Sequence, residues 1–157
     1  MRANAVLAAG NWDEARNTDE VLLDFDQRFR RRIVLTTRAG ADLTLDLPHA
    51  VRLRDGDGLL LDDETIVRVR ARPEPLLELA AAPSLLTRIA WHLGNRHLPV
   101  QFAEGALRIR ADHVIAAMVE GLGASVHPLE APFDPEPGAY AAAGAHHHHA
   151  GEDDHAP

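Results

Sequence analysis

The chain has 157 residues, a formal net charge of −8, sixteen arginines and ten histidines, and neither lysine nor cysteine. Without cysteine there is no disulfide framework, thiolate nucleophile, Cys-type zinc site or iron–sulfur cluster, and without lysine there is no Schiff base or P-loop lysine. The acidic balance argues against nucleic acid, and no apolar run nears the ~20 residues that span a bilayer, so a soluble, cytoplasmic protein with no membrane or nucleic-acid partner is expected.

In chain order, Leu23 and Phe25 alternate with Asp24 and Asp26, and Ile33-Val34-Leu35-Thr36 is a β-rich run. After the turn signal Arg38-Ala39-Gly40-Ala41, Leu43, Leu45 and Leu47 alternate with polar residues, the pattern of a hairpin with one buried face. Asp55-Gly56-Asp57-Gly58 is a second turn, Leu59-Leu60-Leu61 a strand, and Ile66, Val67 and Val69 another. Short strands at this spacing predict a small all-β domain over residues 1–74, with no helical period.

Two prolines in Arg72-Pro73-Glu74-Pro75 predict a linker. A strand is expected over residues 76–80. Pro83-Ser84 then opens a helix in which Leu85, Leu86, Ile89, Ala90 and Leu93 recur at helical spacing, with Gly94 placed just past its end. Strands are expected at 98–102 and 106–110. Asp112 is an N-cap candidate for a second helix buried through Ile115, Met118, Val119 and Leu122, and a last strand covers 124–129. The order βαββαβ predicts a ferredoxin-like domain over residues 75–140, its sheet covered on one face by both helices. Residues 141–157 hold only Ala, Gly, His, acids and a terminal Pro, too little apolar surface to offset ordering entropy, and read as a disordered tail. The fold class is therefore α+β.

The composition restricts any metal site to imidazole, carboxylate and water ligands, which suits nickel, zinc or copper(II). His146-His147-His148-His149, followed by Glu152, Asp153, Asp154 and His155, can chelate such an ion without a preformed cavity; a tag or an accident of composition is the bland alternative. Ligation needs the neutral ring, so binding weakens in acid. His97, in Gly94-Asn95-Arg96-His97-Leu98-Pro99, follows the first helix; alone it offers one donor, but two copies meeting at a two-fold axis would make a shared site. On the residues alone, a ligand role and a merely exposed one stand level. His92 lies along the apolar face of its helix and is expected to be partly buried and hydrogen-bonded. His113 projects away from Ile115 and Met118 and is an exposed auxiliary candidate, while His49 and His127 carry no assigned role. There is no HExxH, Asp55 and Asp57 lack the glycine a calcium loop needs at Leu60, and the serines lack a nucleophile elbow. The run Arg28-Phe29-Arg30-Arg31-Arg32 could contact phosphate or an acidic partner, but a solvated turn beside a strand is the more common explanation.

These stretches together resemble the UreE family of urease accessory proteins, the nickel metallochaperones. The resemblance is carried by Leu22-Leu23-Asp24-Phe25-Asp26 with Arg30-Arg31-Arg32, by Leu53-Arg54-Asp55-Gly56-Asp57, and most specifically by Trp91-His92-Leu93-Gly94-Asn95-Arg96-His97-Leu98-Pro99. Asp112-His113-Val114-Ile115, Pro132-Phe133-Asp134-Pro135 and the histidine tail extend it over nearly the whole chain. It implies a peptide-binding type of β domain joined to a ferredoxin-like metal-binding domain that forms a homodimer. The family's shared Ni(II) ligand falls on His97, an auxiliary one on His113, and an exchangeable nickel pool on His146, His147, His148, His149 and His155. Ala111 stands where some relatives have histidine. The implied protein is not an enzyme; its partners are a GTPase of urease maturation and the apo-urease accessory complex, with Zn(II) or Cu(II) as competing ions. The rival readings are a nickel or zinc buffer or storage protein, and a non-metal peptide-binding adapter.

Overall fold

The computed structural model describes residues 1–138; the expected disordered tail, 141–157, lies outside them. Ten strands and two helices follow in the order β1 (Arg2–Leu7), β2 (Asn17–Leu23), β3 (Phe29–Thr36), β4 (Asp42–Arg52), β5 (Gly58–Leu61), β6 (Ile66–Ala71), β7 (Pro73–Ala80), α1 (Pro83–Asn95), β8 (Gln101–Ala103), β9 (Ala106–Arg110), α2 (His113–Gly121) and β10 (Ser125–Pro132). The class is α+β, as the spacing of apolar residues predicted.

The first sheet has the strand order β2-β6-β5-β1-β4-β3. Its buried face follows the two-residue period of its strands: Leu43, Leu45 and Leu47 of β4 meet Leu35, Leu59, Val67 and Val69 in one aliphatic cluster. Two pairings are parallel, β1 with β4 and β2 with β6, and link segments far apart in the chain. The expected strand through Phe25 is instead a turn. Asp24 and Gln27 exchange hydrogen bonds, Gln27 N–H to Asp24 Oδ1 at 2.8 Å and Asp24 N–H to Gln27 Oε1 at 3.0 Å. These side-chain bonds substitute for a ladder and end β2 at Leu23. The Asp55-Gly56-Asp57-Gly58 signal is a structural turn. The buried Asp57 carboxylate accepts from Ala9 N–H at 3.0 Å and Arg54 N–H at 2.7 Å, so it is already occupied.

Two carboxylates clamp this sheet. Asp46 holds Arg32 at 2.9 Å and Arg2 at 2.7 Å, while Glu20 holds Arg70 at 3.1 Å and Arg38 at 3.2 Å. The hydrogen bond from Arg32 leads in pulling Asp46 below the usual carboxylate range, and that from Arg70 does so for Glu20. A carboxyl lowered by folding stabilises the native state above its unfolded pKa, and that contribution is lost as pH falls through the native value. The melting temperature should therefore fall on acidification below about pH 4. The double variant D46N/E20Q should show a flatter profile between pH 6 and 2; an unchanged profile would remove these groups from the account.

The second sheet is antiparallel throughout, in the order β10-β7-β9-β8, the ferredoxin-like arrangement of a βαββαβ chain. Leu77 and Leu79 of β7 and Leu107 and Ile109 of β9 face Ile89 and Leu93 of α1 and Ile115 and Val119 of α2. Asp112 caps α2 as expected, its carboxylate accepting from Val114 N–H at 2.8 Å and Ile115 N–H at 3.0 Å. The expected linker at Arg72–Pro75 is strand: Pro73 and Pro75 pair with Pro132 and Glu130 of β10, while β9 begins to pair only at Leu76. Proline is tolerated there because that end of the strand has a single ladder neighbour.

The sheets join at a seam around Phe25, Leu76 and Phe133, with the two phenyl rings 5.1 Å apart. Arg28 is fully buried in it, donating through Nη2 to the carbonyl of Phe133 and through Nη1 to that of Leu53. Burial pushes the Arg28 guanidinium below its ordinary pKa, opposed by Asp134, Glu74, Asp55 and Asp24.

Candidate functional site

The site begins with how α1 ends. Its last helical residues are Gly94 and Asn95, and the left-handed residue is His97, three positions later than the glycine suggested. His97 has φ 57°, its N–H bonds the Gly94 carbonyl at 2.9 Å, and Leu98 N–H reaches back to the Leu93 carbonyl at 3.2 Å. That pair of bonds is the Schellman termination, with Leu98 packed on the cluster that contains Leu93. Pro99 follows with no N–H to offer, which is why the expected strand at 98–102 starts only at Gln101.

His97 is thus an exposed imidazole on a rigid turn, in a conformation where glycine is the usual occupant. A β-carbon in the left-handed region costs ~1–2 kcal/mol, and glycine returns part of that through the entropy of the unfolded chain. His97→Gly should therefore raise the metal-free unfolding free energy by about 0.5–1 kcal/mol in urea titration. Unchanged or lowered stability would show that the histidine carries no strain.

The chain after His97 and the chain before His113 meet at one cleft of about 390 Å³, lined by Leu98 and Pro99 on one side and Ala111 and Asp112 on the other, with Glu74 and Arg110 beside them. His113 is exposed at the first position of α2. Neither histidine lines that cleft; His113 lines a neighbouring one with Ala116 and Glu120, and among the described residues no three of His, Cys, Asp and Glu come together to hold an ion. His92 is half-buried, as its helical position predicted, but its ring packs edge-on to Trp91 with centroids 5.1 Å apart; among the described residues its imidazole makes no hydrogen bond. His49 and His127 are exposed on β4 and β10. His146, His147, His148, His149 and His155 lie outside the described residues.

Sequence reasoning passed over two features. Trp91 is 65% exposed, and Val114, beside His113, is 63% exposed. Trp91 lies about 200° around the helix from Ile89 and Leu93, so the same 100° step that found the core places it outside. Large apolar side chains left in water beside a candidate ligand mark a contact surface.

The architecture so described is a six-stranded β unit followed by a split βαββαβ unit. Residues 3–72 match the family model of the UreE urease accessory protein, N-terminal domain, and residues 64–156 match that of its C-terminal domain. The chain is 57% identical over 142 residues to the urease accessory protein UreE of Bradyrhizobium sp. (strain ORS 278), covering 90% of this chain and 67% of that protein. It is 58% identical over 142 residues to UreE of Bradyrhizobium sp. (strain BTAi1 / ATCC BAA-1182), covering 90% and 68%. It is 54% identical over 153 residues to UreE of Rhodopseudomonas palustris (strain BisB18), covering 96% and 72%. The chain belongs to the UreE family of urease accessory proteins, and its role lies in urease maturation. An accessory protein of urease is not itself a urease, and no helix among the described residues is long and apolar enough to cross a membrane.

Proposed function

We propose that the protein is a nickel metallochaperone that binds Ni(II) between two copies of itself and delivers it to apo-urease. The observation that carries this reading is the isolation of His97: an exposed imidazole, fixed by a Schellman turn, with no ligand set around it among the described residues. One imidazole holds an ion weakly, and a two-fold axis doubles every donor near it. Exposed Trp91 and Val114 supply apolar surface for such a pairing.

In this reading residues 1–74 are a peptide-binding type of domain, residues 75–140 the metal-binding and dimerising domain, and 141–157 a tail that gathers metal. His146, His147, His148, His149 and His155 raise the local concentration of Ni(II) and pass it to the His97 pair, with His113 as an auxiliary donor. The open position of His97 permits transfer, because a partner's ligands can enter before the first pair leaves. The recipients are the GTPase of urease maturation and the apo-urease complex, in the cytoplasm. Zn(II) and Cu(II) compete for the same imidazoles.

Nickel titration of the dimer lacking residues 144–157, with and without His97→Ala, tests the site. Transfer of bound nickel to apo-urease tests delivery and distinguishes a chaperone from a store.

A further inference from the structure

The chain that leaves β10 is poor in backbone donors. Pro132, Pro135 and Pro137 have no N–H, so over residues 132–137 the backbone can donate only from Phe133, Asp134 and Glu136. Two of those three donors go to one short stretch of the second unit. Asp134 N–H bonds Oε1 of Gln101 at 3.0 Å, and Glu136 N–H bonds the Val100 carbonyl at 2.7 Å. Val100 stands three residues after His97, with Leu98 and Pro99 between them.

The same segment grips the first sheet. Phe133 is fully buried with its ring 5.1 Å from that of Phe25, and its carbonyl accepts from the buried guanidinium of Arg28. Asp134 Oδ2 also lies 3.7 Å from Nη1 of Arg54, a half-exposed pair that adds little energy. Residues 133–136 thus have one end on the first unit and the other on the stretch that leaves the His97 turn. Proline-rich chain is semi-rigid, at about 3.1 Å per residue, so a segment of this length transmits position rather than absorbing it.

The two sides of the His97 turn are held by different parts of the molecule. On the helix side, His97 N–H and Leu98 N–H return to the carbonyls of Gly94 and Leu93. On the strand side, β8 starts only at Gln101, and the bonds from Asp134 and Glu136 fall on Gln101 and Val100 themselves. Pro99, with its fixed φ, stiffens the short path between.

We propose that residues 133–136 are a positioning strap for His97. They fix Val100 and Gln101 against the first unit and, through Pro99 and Leu98, hold the imidazole at one place on the surface. Asp134 and Glu136 on the strap and Gln101 at its anchor are the positioning residues, and the first unit becomes part of the frame of the metal site. The bearing of the strap on nickel rests on His97 being the metal ligand; the strap itself does not.

Amide hydrogen exchange in the metal-free protein tests it. Glu136→Pro deletes the donor to Val100, Gln101→Met deletes the acceptor for Asp134 at similar length, and Gln101→Glu retains an acceptor. Exchange at His97 and Leu98 should quicken roughly 5-fold in the first two variants, the factor set by one net hydrogen bond, and stay at the parent rate in Gln101→Glu. Leu79 and Val119, in the core of the same unit, report opening of the whole unit. A change confined to His97 and Leu98 supports the strap; no change there, or an equal change at all four amides, overturns it. In the chain lacking residues 144–157, Glu136→Pro should also weaken Ni(II) uptake by roughly 5-fold and alter the Ni(II) absorption spectrum. If exchange responds while nickel uptake and spectrum do not, the strap stands and His97 falls as the nickel ligand.

Discussion

On the proposed shared site, the chain lacking residues 144–157 should take up one Ni(II) per two copies, and His97→Ala should weaken that uptake by more than about 100-fold. Loss of a group that merely orients a metal ligand costs about 10–100-fold, and this substitution removes the imidazole from both sides of the axis at once. The geometry makes the result specific to His97. Its turn is fixed by two backbone bonds and by Leu98, which hold the imidazole at one place on the surface. His113→Ala should weaken the same uptake by about 10-fold, the low end of the range for losing a supporting group rather than a ligand. Isothermal titration with nickel reads all three proteins. Unchanged affinity in the His97→Ala dimer would remove the shared site, and binding of one ion per chain would remove the two-fold axis.

Arg28→Ala should lower stability by about 2–5 kcal/mol, the range for cutting a large buried side chain back to alanine. Arg28 is 0% exposed, bonds the carbonyls of Phe133 and Leu53, and lies among Asp134, Glu74, Asp55 and Asp24. Its removal leaves buried carbonyls without donors and a void beside Phe25 and Phe133. For a chain of this size the melting temperature should drop by about 10 °C. Residues 133–138 should become the first site of limited proteolysis, because Arg28 donates the buried hydrogen bond that holds the Phe133 backbone. Arg28→Met, which fills the volume without donating, should fall between. A melting temperature unchanged in Arg28→Ala would show that the seam is held by the apolar residues alone.

Legibility varied with the range of the interaction. Helix α1, the Asp112 cap and the leucine alternation of β4 were readable because each rests on residues a few positions apart. The turn at Asp24 was not, since Leu23 and Phe25 keep the period of a strand while Gln27 redirects the backbone. Pro73 and Pro75 carried the signature of a linker, and only the location of their neighbours in the sheet made them acceptable within β7. Trp91 could have been placed on the outer face by its angle on the helix. The buried state of Arg28 could not, because one member of an arginine run looks like the others until Phe133, 105 residues away, supplies its acceptor.

The sequence by itself determined the chemistry open to this protein. With no cysteine or lysine, any metal must be held by imidazole and carboxylate, and the order of elements committed the chain to an α+β fold. Which histidine stands alone was decided by tertiary structure. So were the left-handed turn at His97, the cleft between the segment after His97 and the segment before His113, and the divergence of β1 from β4. Local spacing encodes local geometry, whereas a ligand set or a strand edge depends on segments that meet only after the chain has folded back on itself.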